Sequence, residues 1–293
     1  MRRQRASHRA MLAPLAALLL VAMDGCSRHD DAPRTREVSR SPAPTPLSTR
    51  VPACVDEVPW FPFTFPVESE EGRVTGATTE LVREVLRRRG LVLSIEPLPW
   101  KRCMLALQQG HFAITYDAII GDERRDRYLF SDPFYAMPQI FYYLGDRFPQ
   151  PPSDLSRLQI CGVLGYSYPG LPFDATRIDA DARSPTVMIN KLRAGRCDLA
   201  IGYQRPFTES AKRGELDLEG LHHTPIPGAT ILSLGMMAAR GNAQGAEIIS
   251  LVDQVMGELR EDGTYVSIMR QFGVEHYAVG IGAGIGAGGL APD

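Results

Sequence analysis

Between residues 51 and 116 the hydrophobic pattern changes period several times. Residues 51–55, Val-Pro-Ala-Cys-Val, form an apolar run of strand length. Over 78–89, Leu81, Val82, Val85 and Leu86 recur at helical spacing and Gly90 supplies a stop, so a helix is predicted there. Residues 91–95 return to a strand pattern of Leu, Val and Ile. A second helix over 100–109 closes at Gly110, and 112–116 reads as a further strand. Strands separated by helices imply parallel βαβ units. The pattern then restarts. Residues 158–164 form a strand, and Ser184-Pro185 opens a helix because Ser caps the first turn and Pro is pre-set for it. Gly195 ends that helix, and 197–201 is the next strand. Two α/β units account for this better than one continuous sheet. The apolar stretches 140–144 and 231–237 lie between the units and read as crossover strands. The chain therefore builds a first lobe from 51–145, a second from 146–230, and returns to the first over 231–278.

The two ends carry no such alternation. Arg2, Arg3, Arg5 and Arg9 precede an apolar run over 11–23, too short to span a bilayer comfortably but suited to a secretory leader. Residues 1–25 are therefore expected to be a signal peptide. The run ends at Asp24-Gly25-Cys26, which resembles a bacterial lipobox, making Cys26 the expected site of lipid attachment. Asp24 and Met23 depart from the small residue and Leu usual there; the alternative is nearby cleavage that releases a soluble protein. Residues 26–50, rich in Ser and Pro, read as a flexible linker, and the Gly-rich segment 279–293 as a disordered tail. Its Gly spacing does not indicate a nucleotide site, since no strand and helix frame it.

Composition removes several function classes. With 32 basic and 34 acidic residues and a net charge of -2, the chain lacks the basic footprint of a nucleic-acid binder. No segment after the leader is apolar for long enough to cross a membrane, so the expected contact with the membrane is the lipid alone. Apart from Cys26, four cysteines remain, Cys54, Cys103, Cys161 and Cys197, an even number fitting an oxidising compartment. They allow three pairings. The predicted topology favours Cys54–Cys103 and Cys161–Cys197, each within one lobe. No CxxC pair or Cys/His cluster occurs, so neither a metal nor another cofactor is expected.

Several stretches then line up in order. Gly121-Asp-Glu-Arg-Arg-Asp-Arg-Tyr-Leu-Phe-Ser-Asp-Pro-Phe-Tyr135 resembles the T-x-E-R … F-S-x-P-Y segment of the family 3 (polar amino acid type) extracellular solute-binding proteins of ABC transporters. Met256-Gly-Glu-Leu-Arg-Glu-Asp-Gly-Thr-Tyr265 is similar to the same family's L-x-x-D-G-T-Y close. Pro99-Trp-Lys-Arg-Cys103 and Gly162-Val-Leu-Gly-Tyr-Ser-Tyr168 recur in one branch of it. The resemblance implies a two-lobed periplasmic-binding-protein (clamshell) α/β fold with a two-strand hinge. It also implies a monomer that captures a small carboxylate-bearing solute and hands it to an ABC permease.

Site residues follow position by position. Arg124 matches the family arginine that pairs with a ligand carboxylate, a role suited to the bidentate guanidinium fork. Tyr166 and Ser167 lie in the turn after the first strand of lobe 2, where backbone N–H groups near a helix start can bind the same carboxylate. Trp60 and Trp100 are the candidates to cover the apolar part of a ligand. Two departures stand out. Family members that bind α-amino acids commonly carry an acid near the position of Gly202-Tyr203-Gln204, and none is present here. The hydroxyl-rich strand end of lobe 1 is replaced by Tyr116-Asp117-Ala-Ile119. Either Asp117 or Glu57 is then the expected replacement acid, or else the ligand has no ammonium group.

Two other functions share this fold. A few such proteins are dehydratases, but no nucleophile–base motif accompanies Glu57 or Asp117, and an enzyme is not expected. A lipoprotein that reports ligand to a membrane sensor would need the same closing lobes, and sequence does not separate it from a transport component.

Overall fold

A computed structural model describes residues 49–148, 152 and 154–280. The expected leader, Cys26, nearly all of the linker and most of the Gly-rich tail lie outside the described residues.

The first lobe opens with β1 (Arg50–Asp56). A short antiparallel ribbon follows, β2 (Phe65–Pro66) with β3 (Val74–Thr75). Helix α1 (Ala77–Arg87) buries Leu81, Val82, Val85 and Leu86 completely, as their spacing predicts. Each such side chain contributes roughly 1.5–3 kcal/mol over an exposed one. The helix begins at Gly76, where an added Cβ would lie 2.2 Å from the Phe63 carbonyl oxygen. Strand β4 (Val92–Leu98) lies parallel to β1, and α2 (Trp100–Gln108) follows it. β5 (Thr115–Ile119) begins three residues later than predicted. The residues before it, around Ile114, bridge to Ala53 of β1 instead of pairing in a full ladder. β6 (Tyr128–Phe130) and β7 (Tyr135–Met137) complete the outward pass.

The second lobe is a five-stranded sheet. Its strands are β8 (Ile140–Leu144), β9 (Ile160–Val163), β10 (Ile178–Ala182), β11 (Leu199–Gly202) and β12 (Leu221–Pro225). They stand in the order β10-β9-β11-β8-β12. Helix α3 (Pro185–Arg193) is capped by Ser184, whose hydroxyl accepts from the Val187 amide at 3.3 Å, and α4 (Gln204–Lys212) follows β11. The chain returns through β13 (Leu232–Ala239), which pairs antiparallel with β5, β6 and β7, and ends in α5 (Ala243–Glu261) and α6 (Thr264–Gln271).

One assignment changes. The boundary at 145 placed residues 140–144 in the first lobe, but β8 pairs with β11 and β12 inside the second sheet. Four of its five residues are buried, as befits a central strand covered on both faces. The lobes are thus joined by two short segments. One links β7 to β8, and the other links β12 to β13. The strands on either side run antiparallel, β7 with β13 in one sheet and β8 with β12 in the other. A few residues at such crossings can absorb the backbone rotation of lobe closure.

Disulfides Cys54–Cys103 and Cys161–Cys197 are formed, with Cα separations of 5.6 and 5.8 Å. The first ties β1 to α2; the second ties β9 to the residues just before β11. Neither crosses between the lobes.

Candidate functional site

In a sheet with parallel strands, ligands bind beyond the C-terminal strand ends, where loops diverge. Here those ends meet across one cleft. Asp56 stands at the end of β1, Trp60 in the turn after it, and Trp100 at the first position of α2. Tyr116 and Asp117 project from β5, and Arg124 from the single turn of 3-10 helix over Asp122–Arg124. From the second lobe come Tyr166, Ser167 and Tyr203, the last capping α4. The cleft holds about 540 Å3 of space not filled by atoms, part of it open to solvent.

The lobes are closed on each other. Trp100 Nε1 and Arg124 Nη2 both donate to the Gly165 carbonyl oxygen, at 3.1 and 2.9 Å. Gly165 adopts φ +83, and a Cβ there would lie 3.3 Å from the Trp100 ring, so glycine permits this approach. Tyr166 OH donates to Asp56 Oδ2 at 3.2 Å, and Ser167 Oγ donates to Glu123 Oε1. On the outside, the Arg213 guanidinium sits 4.4 Å over the Phe61 ring. Trp60 packs edge-on against Tyr203, with centroids 4.8 Å apart, and against Tyr166 at 6.4 Å.

Three charged groups set the electrostatics. Arg124 is 9% exposed, and burial pulls its guanidinium below the usual arginine range. Its nearest carboxylate, Glu123, is 3.9 Å away and half exposed, so the fork has no bidentate partner. Asp117 Oδ1 accepts from Thr78 Oγ1 at 2.6 Å and Tyr135 OH at 2.8 Å, and that tyrosine in turn accepts from Trp60 Nε1 at 2.9 Å. Asp117 Oδ2 is buried without a hydrogen-bond partner. Thr64 lies close enough to favour the charged form but makes no such bond. Burial dominates and lifts the Asp117 carboxyl to about 6. Asp117 is also the one non-glycine residue with positive φ, at 55, among the described residues. Strained backbone of this kind persists where the surroundings hold it, often at binding sites. Asp56 is lifted to about 6 as well, chiefly by burial, against hydrogen bonds from the Val58 amide and Tyr166.

Of the sequence-derived candidates, Arg124, Trp60, Trp100, Tyr116, Asp117, Tyr166, Ser167 and Tyr203 all line this cleft. Glu57 does not. It is exposed in the bend just past the end of β1 and faces a neighbouring groove with Pro59, Thr186 and Glu215. Besides Asp117, the acid that lines the cleft is the neighbour of Glu57, Asp56, which sequence reasoning missed. Its place at the C-terminal end of the first parallel strand was the available signal. Thr64, which also lines the cleft, was missed too. A second correction concerns the turn at Tyr166–Ser167. No helix starts there; the chain continues in turns and loop to the short 3-10 turn at Ala175–Arg177. Tyr168 lies back against β9 instead, its hydroxyl accepting from the Val163 amide at 2.6 Å. Among the described residues no His, Cys, Asp and Glu group is arranged to hold a metal ion.

Two α/β lobes closed over an aromatic-lined cleft with a few charged groups, and joined by two crossings, define the periplasmic-binding-protein class. The chain belongs to the bacterial extracellular solute-binding proteins, family 3, whose family model matches residues 54–275. It is 20% identical to the L-cystine-binding protein TcyA of Bacillus subtilis over 213 residues, covering 72% of this chain and 76% of that protein. Among solved structures it resembles the substrate binding protein of an amino acid ABC transporter, with TM-score 0.63, 19% identity, and coverage of 76% of this chain and 98% of that one. It also resembles an ABC uptake transporter substrate binding protein from Streptococcus pneumoniae with bound histidine. There the TM-score is 0.65 and identity 14%, covering 79% and 95% of the two chains. At these identities the structural likeness establishes the fold. Among the described residues no helix is long and apolar enough to cross a membrane.

Proposed function

We propose that this protein captures an amino acid outside the cytoplasmic membrane and delivers it to an ABC permease, with Arg124 holding the ligand's carboxylate. In this reading residues 1–25 direct export and Cys26 carries the lipid anchor. The observation that carries the proposal is the state of Arg124. A guanidinium buried in a cleft wall, hydrogen-bonded to a carbonyl oxygen and with its nearest carboxylate, the half-exposed Glu123, at 3.9 Å, lacks the close bidentate anion that would offset its desolvation. A carboxylate entering the cleft supplies that anion in matched planar geometry. Ser167 lies on the opposite lobe, so the same group can help hold the lobes closed. Trp60, Trp100, Tyr116, Tyr166 and Tyr203 provide the aromatic walls that exclude water from the pair. The names of relatives point the same way, since cystine and histidine are both amino acids.

Thermal unfolding of the full chain across a panel of amino acids, amines and small carboxylates tests this. A ligand at about a hundred times its Kd adds roughly 2.7 kcal/mol of stability. The expected hit bears a carboxylate and is lost in Arg124→Ala. Stabilisation only by compounds without a carboxylate would remove Arg124 from this role.

A further inference from the structure

The charges inside the cleft do not balance. Among the described residues that line it, Arg124 is the single cation, and Asp56 and Asp117 are two acids. Neither acid forms an ion pair with a lysine or arginine of the described residues; their partners are hydroxyls and, for Asp56, the backbone amides of Val58 and Trp100. Asp117 keeps one oxygen buried and unbonded, and the Tyr203 hydroxyl on the opposite lobe is likewise buried with no partner. Glu123 adds a third carboxylate at the rim, but it is half exposed and engaged by Ser167, so water screens it.

An amino acid with an uncharged side chain brings one carboxylate and one ammonium. That would satisfy Arg124 and one of the acids, leaving the other shut in a closed cleft without a counter-charge. An unpaired buried carboxylate is strongly unfavourable unless it takes up a proton. We propose that the ligand is an amino acid with a second cationic nitrogen on its side chain, so that Arg124 holds the carboxylate while Asp117 and Asp56 each face one cationic nitrogen. This deepens the reading above and rests on it.

The surroundings of the two acids fit the assignment. Asp56 accepts from Tyr166 and shares the cleft lining with Trp60 and Trp100. Aromatic faces beside a carboxylate attract a desolvated cation through the ring quadrupole, and a planar guanidinium also stacks on them. Asp117 is held by Thr78 and Tyr135 through Oδ1 alone, so the buried, unpartnered Oδ2 is the oxygen left to accept from an ammonium. The second lobe lines the cleft with Tyr166, Ser167 and Tyr203 and brings no carboxylate to it. Recognition of both nitrogens therefore falls to the first lobe here.

The test uses the full chain and isothermal titration with L-arginine and L-lysine, against L-citrulline and L-norleucine, which keep size but lose the side-chain charge. Agmatine, arginine without its carboxylate, is the third arm. The expected result is binding of arginine or lysine at least a hundredfold tighter than citrulline or norleucine. Asp56→Asn and Asp117→Asn, both isosteric, should each weaken the cationic ligand at least tenfold, and their unfolding midpoints report whether they fold. Citrulline or norleucine binding as tightly as the charged compounds would overturn this proposal while leaving carboxylate capture intact. Agmatine binding as tightly as arginine would instead overturn the role of Arg124. Absence of binding by either cationic amino acid would sink the second nitrogen as well.

Discussion

Asp117→Asn removes a charge while keeping a shape. The residue sits at φ 55, a left-handed conformation that Asn adopts as readily as Asp. An amide oxygen can accept the same two hydrogen bonds, from Thr78 and Tyr135. What disappears is ionisation. Burial raises the carboxyl from 3.8 to about 6, a rise of about two units and therefore roughly 3 kcal/mol at most at neutral pH. Because the folded value lies above the unfolded one, the carboxyl's stabilising contribution is complete below about pH 4. It is lost as pH rises through about 6. Above that, the ligand-free fold holds an ionised carboxylate that water would solvate better. The amide NH2 takes the place of Oδ2 and needs an acceptor of its own, which trims the gain. The ligand-free variant should therefore be about 1–3 kcal/mol more stable than the parent near pH 7.5, with no difference near pH 4. Urea unfolding at both values, after bound solute has been removed by denaturation and refolding, measures this. A variant that is less stable near pH 7.5, or that differs equally at both pH values, would show that the carboxyl is already well satisfied. Gained stability with lost binding is the trade expected of a residue kept for a ligand.

Binding itself should depend on pH. With Asp56 and Asp117 both near 6 in the ligand-free cleft, affinity for a cationic amino acid should be level above about pH 7. It should then fall by up to tenfold per pH unit, for each carboxyl protonated, as pH drops below about 6. A titration series that stays flat from about pH 8 to about pH 5 would contradict it. Replacing either cysteine pair by alanines should cost about 4 kcal/mol, since the bridges close separations of 49 and 36 residues. Because each bridge stays within one lobe, the loss should appear in denaturant midpoints and leave ligand affinity within about threefold.

Much of the lobe architecture was legible because it depends on local pattern. The helical spacing of Leu81, Val82, Val85 and Leu86, the Ser184-Pro185 start and the glycine stops act within a few residues, so periodicity reports them directly. The cysteine pairs followed once strands and helices were in order, since Cys54 and Cys103 then fall on adjacent elements. Arg124 was singled out by its place before the Phe130-Ser131 segment, and the aromatic candidates by their places after strand ends.

Tertiary structure decided what depends on partners distant in sequence. Residues 140–144 carry the same apolar run in either lobe; only pairing with β11 and β12 assigns them. Asp56 and Glu57 are chemically near-equivalent neighbours, and the bend that follows the last residue of β1 leaves one in the cleft and turns the other to solvent. The turn at Tyr166–Ser167 looked like a helix start, yet the chain loops on while Tyr168 bonds back to β9. The charge imbalance of the cleft is the furthest from sequence, because an unpaired acid is recognised only when every neighbour around it has been placed. Sequence by itself determined which segments fold and which residue types stand at strand ends. The closed arrangement of the two lobes determined which of those residues share one desolvated space, where their charges no longer answer separately to water.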